Sequence, residues 1–473
     1  MPPRPLPHFG SLRCRRRGDW VRRQGAWVVL ALASAGMGAL TARAVDVPGK
    51  ATTLPTVAEV SAGFRDPAPQ DCATVRWSWD GPMTGAVIAR DLDALRAVGF
   101  RAVTIEAGYG MDRTPYLSDD WFELVGEAVA QAKERDMRVW IKDEGRHPSG
   151  FAGGRFTRER PDLLMQGLDV AGRVAVASGE AVKQSVDDHV VGALAVERKT
   201  GAAQLIPVAD GALNWTAPVG EWEVRIVDHQ DRTPATRSVE NPTHGKDTSR
   251  AMGDLLNPAA AQQFIDWTHE GYRRHLGEEL GRTVLGFRGD EPGFACTPWT
   301  PGIADVFARE KGYDVRPYLA AFVSSRPDET AAQLTDEMRR VRADYWDVWS
   351  RLFADNGIEP LARWCTVHGM AYTMHLNHDH DMHRHVASDG DYFRAMRPVT
   401  IPAVDAIWNQ VWPGRDADFV KLPSSVAHLL GRPRVFSESF AAYRETPVTA
   451  ETAEFFRLKA QPPRNRPPAM SAR

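Results

Sequence analysis

Carboxylates recur at places where a chain of this pattern could use them: Glu106, Asp143-Glu144, Gly289-Asp290-Glu291-Pro292 and Ser437-Glu438-Ser439. Two carboxyl groups facing one bound acetal can hydrolyse it, one protonating the leaving oxygen while the other attacks the anomeric carbon or activates water. The segment from His375 to His385 adds five histidines. Such density suits a transition metal, a sugar contact by His375, or simply a solvated polar loop. A metal-dependent hydrolase barrel would want histidines on several strands, and the first strand offers Trp77-Ser78-Trp79 instead.

The elements that must position these groups alternate. β-rich runs at 74–79, 101–106, 137–142, 283–288, 371–376, 402–408 and 434–437 are each followed by a helical stretch. Ser118 before Asp119 and Asp120 reads as a helix N-cap with an acidic first turn. Asn257-Pro258 reads as a cap followed by proline at the first helical position. Residues 165–240 lack a helical period and read as several short strands. The pattern predicts an α/β chain, a (β/α)8 TIM barrel truncated after strand seven, with an inserted β-rich subdomain. Its expected parts are 1–44 leader, 45–164 first barrel half, 165–240 insertion, 241–460 second barrel half and 461–473 tail, with one further helix over 449–460. Barrel enzymes work at the C-terminal ends of their strands, where every one of these carboxylates falls. A ring lacking strand eight leaves strands seven and one open, which predicts self-association through those edges and weak turnover.

The motifs Trp77-Ser78-Trp79, Thr114 to Phe122, Asp143-Glu144 with His147 to Gly154, Asp254 to Pro258, Gly289 to Pro292 and Val435 to Ser439 resemble bacterial glycosyl hydrolases related to the clan A barrels and to the family 106 α-L-rhamnosidases. The resemblance covers residues 74–443. It implies Glu291, ending strand four, as acid/base and Glu438, on strand seven, as nucleophile of a retaining double displacement. The alternatives are an inverting, rhamnosidase-like hydrolase in which Glu438 activates water, and a non-catalytic sugar-binding remnant. Glu106, Asp290 and His375 are candidates for binding substrate. Asp143, Glu144 and His147 would bind sugar hydroxyls or fix their own loop. Trp77, Trp79, Trp299, Trp408 and Trp412 would stack on sugar or fill the core. The residues call for no cofactor; calcium is raised by the resemblance alone.

Charge narrows the partners. Residues 1–44 carry eight arginines and one acid, Asp19, which leaves 50 basic against 60 acidic side chains in the remainder. A body that acidic is a poor partner for nucleic acid or anionic lipid; the expected partner is a carbohydrate. A basic stretch, the apolar run Ala26 to Leu40 and Ala42-Arg43-Ala44 read as a cleaved export signal. That run is short of the roughly 20 residues of a membrane span, so a periplasmic or secreted protein without stable membrane insertion is expected. Cys72, Cys296 and Cys365 match neither a zinc pattern nor a disulfide framework.

Overall fold

The computed structural model describes residues 56–65, 72–109, 111, 114–323, 335–407, 410 and 418–439. The expected leader, Trp408, Trp412, the 449–460 helix and the tail lie outside them. Seven parallel strands form one curled sheet in chain order: Thr74–Trp79, Ala102–Ala107, Arg138–Lys142, Val284–Asp290, Ala371–His375, Ile401–Ala406 and Phe436–Ser439. They are called strands one to seven below. Strands two and six are buried at every residue, as parallel strands covered on both faces must be.

Two strands end later than their apolar runs suggest, because pairing and not hydrophobicity sets their bounds. Strand four pairs with strand five as far as Asp290↔His375, and strand seven pairs with strand six as far as Ala406↔Ser439. Asp290 and Glu438 therefore stand on strands, whose backbone directs them more rigidly than a loop would.

The helices follow local rules. Thr84 accepts the Val87 amide to start Gly85–Ala97, which buries Ile88 and Leu92 four residues apart. Ser118 accepts from Trp121 to start Asp119–Glu134, burying Trp121, Phe122, Val125, Ala128, Val129 and Ala132. The stripe that begins at Asn257 reads as one helix but forms two, Pro258–Trp267 and His269–Leu276. The break coincides with Thr268, whose hydroxyl bonds back to the Phe264 carbonyl at 2.6 Å. The long helical region interrupted at Asn356-Gly357 is Asp336–Leu352 and Glu359–Val367, joined by a π-helical turn over Phe353–Ile358. No helix among the described residues is long and apolar enough to cross a membrane.

Between strands three and four the chain builds a second, antiparallel sheet. Its spatial order is Thr297–Trp299, Gln166–Ala177, Glu221–Asp231, Val190–Glu197, Ala203–Ala209, Ala212–Thr216 and Ala181–Ser185. The edge strand Thr297–Trp299 comes from beyond strand four and pairs with Gln166–Leu168. Alternation along Ala193 to Val196 splits this sheet's faces. Ala193 and Ala195 pack with Ile206, Leu213 and Val224, while Leu194 and Val196 join the main core. A two-residue ladder, Arg146–His147 against Arg237–Ser238, ties the loop after strand three to the chain leaving this sheet.

Candidate active site

The pleat decides which residues of each strand face the inside of the curled sheet. On strand one it turns Arg76 inward and Trp77 and Trp79 outward, against the helical layer. The Trp77 indole donates to Asp91 at 3.2 Å, and the wholly buried Trp79 packs on Trp77 and Trp121. Neither presents a face to a sugar, so the structure places both tryptophans in the core and not in the site. Trp299 is likewise buried, stacked on His229 in the second sheet.

Six inward charges close a ring of alternating sign. Arg76 donates to Glu106 (Nη2 to Oε1, 2.7 Å), and Lys142 Nζ lies 2.8 Å from Glu106 Oε1. Lys142 also contacts Asp290. Arg288 lies 3.6 Å from Asp290 and contacts Glu438. Arg76 Nη1 completes the circuit on Glu438 Oε1 at 3.2 Å. The ring draws on strands one, two, three, four and seven, and its last link joins strand seven to strand one. Burial pushes the Glu106 carboxyl up, but Lys142 and Arg76 hold it down to about 2. Asp290 is held well below the usual carboxylate range by Lys142, Arg288 and His375, against its burial. Glu106, Lys142, Arg288 and Asp290 are buried, and ion pairs that deep contribute little net stability once desolvation is counted, while Arg76 is nearly half exposed. What they supply is direction for Glu438.

Glu291 stands just outside the ring. Its φ of +47° is left-handed for a residue with a side chain, a strain that costs about 1–3 kcal/mol and collects at functional sites. That kink turns the chain off strand four and leaves Glu291 about one-fifth exposed at the mouth. Gly293, two residues on, must be glycine, because a Cβ there would lie 2.5 Å from Asp389 Oδ1. Glu291 Oε2 lies 2.5 Å from His147 Nε2. Burial favours its protonated form, yet the His147 bond and His375 keep its pKa below the ordinary value. His375, at the end of strand five, is the hub. Its Nε2 lies 3.2 Å from Asp290 Oδ1, 3.9 Å from Glu291 Oε1 and 3.7 Å from Glu438 Oε2, and burial lowers its pKa, which favours the neutral ring.

Glu106, His147, Asp290, Glu291, His375 and Glu438 thus converge at one mouth of the curled sheet. Asp143 and Glu144 lie beneath it, in the role of fixing the loop. Asp143 accepts from Ser149 (2.6 Å) and Tyr372 (3.2 Å). The wholly buried Glu144 accepts five backbone amides, those of Gly145, Gly150, Phe151, Ala152 and Gly153. It is an anchor for the loop that carries His147. Glu144→Ala should orphan those amides at about 1–3 kcal/mol each where they stay buried. Limited proteolysis should then cut within 145–154, while unchanged protection would show the loop to be held by other contacts.

The remaining histidines of the 375–385 segment do not gather around a point. His385 is buried 3.9 Å from Asp379 and 3.8 Å from Asp389, while His380 is exposed and meets Gln410 at 3.1 Å. Ligand-type atoms do gather within 4.8 Å in two groups, Asp290 with His375 and Glu438, and Glu291 with His375 and Asp405. Calcium takes six to eight oxygen ligands, and either group offers two carboxylates and a ring nitrogen. The first already faces Lys142, Arg288 and Arg76. These donor sets do not suit calcium, and no step below runs through a metal.

Sequence reasoning missed Arg76, Lys142, Arg288, Asp379, Asp389 and Asp405. A charge inside an otherwise apolar strand was the available signal: Lys142 ends Arg-Val-Trp-Ile-Lys, and Asp405 interrupts Ile-Pro-Ala-Val-Asp-Ala. Burial pushes Asp405 up to about 8, with Glu438 and Glu291 adding to it.

The α-L-rhamnosidase model of glycoside hydrolase family 106 matches residues 177–455, more than half of the chain. Among solved structures, the chain is similar to a rhamnosidase from Novosphingobium sp. PP1Y, with a TM-score of 0.54 at 15% identity, covering 82% of this chain and 53% of that one. It therefore spans about half the length of that enzyme, and the likeness is one of fold. A β-galactosidase from the psychrophilic Marinomonas ef1 aligns at a TM-score of 0.35 and 8% identity over 71% of this chain and 40% of its own. No curated protein sequence matches. The family model and the matching fold agree, and the chain belongs to the α-L-rhamnosidases of glycoside hydrolase family 106.

Proposed function

We propose that this chain is the catalytic part of an exported glycoside hydrolase that cleaves α-L-rhamnosidic bonds in an oligosaccharide or polysaccharide. Its parallel sheet supplies seven strands of a (β/α)8 ring, and its second sheet is an insertion between strands three and four. The observation that carries the reading is that Glu291, just past strand four, and Glu438, on strand seven, both reach Nε2 of His375, at 3.9 and 3.7 Å. A pyranose bound over that nitrogen would have one carboxyl group on each side.

Glu291 is the proton donor in this reading: the proton shared across its 2.5 Å contact with His147 Nε2, a bond that keeps the Glu291 pKa below its ordinary value, passes through Glu291 to the leaving oxygen. Glu438, paired with Arg288 and Arg76, acts at the anomeric carbon. In a double displacement its oxygen forms the new C–O bond as the aglycone leaves with the proton from Glu291. Water, deprotonated by Glu291, then breaks that bond, with net retention. A second reading is inversion, in which Glu438 takes a proton from the attacking water. It is favoured by both Glu438 oxygens already meeting a guanidinium, since water can share such an acceptor without displacing it. Proton NMR of the first-formed sugar from an aryl α-L-rhamnoside separates the two, and absence of hydrolysis across a broad aryl-glycoside panel would leave the sugar-binding remnant.

Export rests on the basic, apolar and Ala-Arg-Ala order of residues 1–44. Mass spectrometry of the secreted or periplasmic fraction should find a mature N-terminus at Val45. Full-length chain in the cytoplasm would contradict it.

A further inference from the structure

The charge ring and the His147 contact engage Glu106, Asp290, Glu438 and Glu291, and leave Asp405 outside them. Asp405 lies on strand six, in register with Glu438 on strand seven, so the two side chains stand side by side on the inner face. Its carboxyl gathers with Glu291 and His375 within 4.8 Å. It is only 6% exposed, and its Oδ1 has no hydrogen-bond partner among the described residues. It cannot turn away. Its own amide donates to Asp379 Oδ2 at 3.0 Å, and its neighbours Val404 and Ala406 are packed in the core. A buried acceptor without a donor is costly and rare in native structures. The cationic donors around it are already taken, Arg288 and Arg76 by Glu438, Lys142 by Glu106 and Asp290. A hydroxyl of a bound ligand can supply the missing donor.

We infer that Asp405 is a substrate-contacting residue that takes ring hydroxyls of the sugar bound between Glu291 and Glu438, and that Asp379 positions it. This rests on the glycosidase reading, since a pyranose brings hydroxyl donors to that point while its anomeric carbon faces Glu438. A carboxyl's two oxygens match two neighbouring hydroxyls, so the contact selects a sugar with an intact vicinal pair. A site built around a substrate hydroxyl discriminates strongly against the analogue that lacks it.

The test compares wild type, Asp405→Asn and Asp379→Asn on an aryl α-L-rhamnoside and its 2-, 3- and 4-deoxy analogues. Wild type should lose at least about 100-fold in kcat/KM on the analogue lacking the contacted hydroxyl. Asp405→Asn should lose a similar factor on the parent sugar and less than about threefold on that analogue. Asp379→Asn should show the same hydroxyl-selective pattern more weakly. The wild-type deoxy series needs no variant to fold, and calorimetry with free L-rhamnose and its deoxy forms gives a readout independent of turnover. Equal losses by Asp405→Asn on all analogues would overturn the inference. So would sugar binding that chelator abolishes and calcium restores, because a cation would then sit at Asp405. If a different glycoside is the one hydrolysed, with hydroxyl-selective losses at Asp405, the rhamnoside reading falls and the inference stands. Rhamnoside turnover without that selectivity has the opposite meaning, and no sugar bound or cleaved overturns both.

Discussion

Glu438→Gln should lower kcat/KM on an aryl α-L-rhamnoside by about 10²–10⁴-fold, the usual contribution of a positioned acid or base, whatever the leaving group. Glutamine keeps the shape of the side chain and one acceptor for Arg288 and Arg76, but it can neither form a stable bond to the anomeric carbon nor accept a proton from water. Glu291→Gln should behave differently. An aglycone as acidic as dinitrophenol leaves without a proton, so the loss there should be small, and it should approach the same 10²–10⁴ with an alkyl aglycone. The crossed dependence on leaving group separates the two roles, which a general weakening of the fold would not. Retention of a tenth or more of the activity by Glu438→Gln, or identical leaving-group behaviour of both variants, would remove the pair from the mechanism.

Lys142→Met should cost about 3–5 kcal/mol of stability, the range for breaking a buried ion pair by deleting one partner. Lys142 is 1% exposed and lies against two acids, Glu106 and Asp290. Methionine fills most of its volume, so the loss reports the two stranded carboxylates. The pH dependence follows from the direction of the Glu106 shift. Its carboxyl is held down to about 2 in the folded chain against 4.5 when unfolded. The stabilisation is therefore fully present above about 4.5 and lost as pH falls towards 2. Wild type should lose stability steeply across that window. In Lys142→Met the carboxyl protonates at higher pH and the acid slope should flatten. Chemical denaturation at several pH values checks both, and equal stability at pH 7 would mean that the ring contributes no net interaction.

Much of the scaffold was legible because it is locally encoded. Ser118, Thr84 and Asn257-Pro258 start helices through contacts within a few residues, and short apolar runs mark strands whatever lies beside them. The barrel rule then placed carboxylates at strand ends, and Glu106, Asp290, Glu291 and Glu438 do meet there with His147 and His375. Local pattern carries no phase, however. Trp77 and Arg76 are neighbours on one strand, and only the curl of the assembled sheet and the helices packed on it decide which of them faces inward and which the helices. Glu144 looks as available as Glu291 in the sequence, but the loop from Gly145 to Gly153 folds its amides around it. The link from Arg76 to Glu438 spans 362 residues, and Asp405 joins the site only because strand six pairs with strand seven at that register. The sequence by itself determined the strands, the helices and the kind of chemistry at their ends. Which charge meets which, and that Asp405 stands beside Glu438, was decided by the tertiary structure, because register between distant strands is set by packing of the whole sheet and by nothing local to either strand.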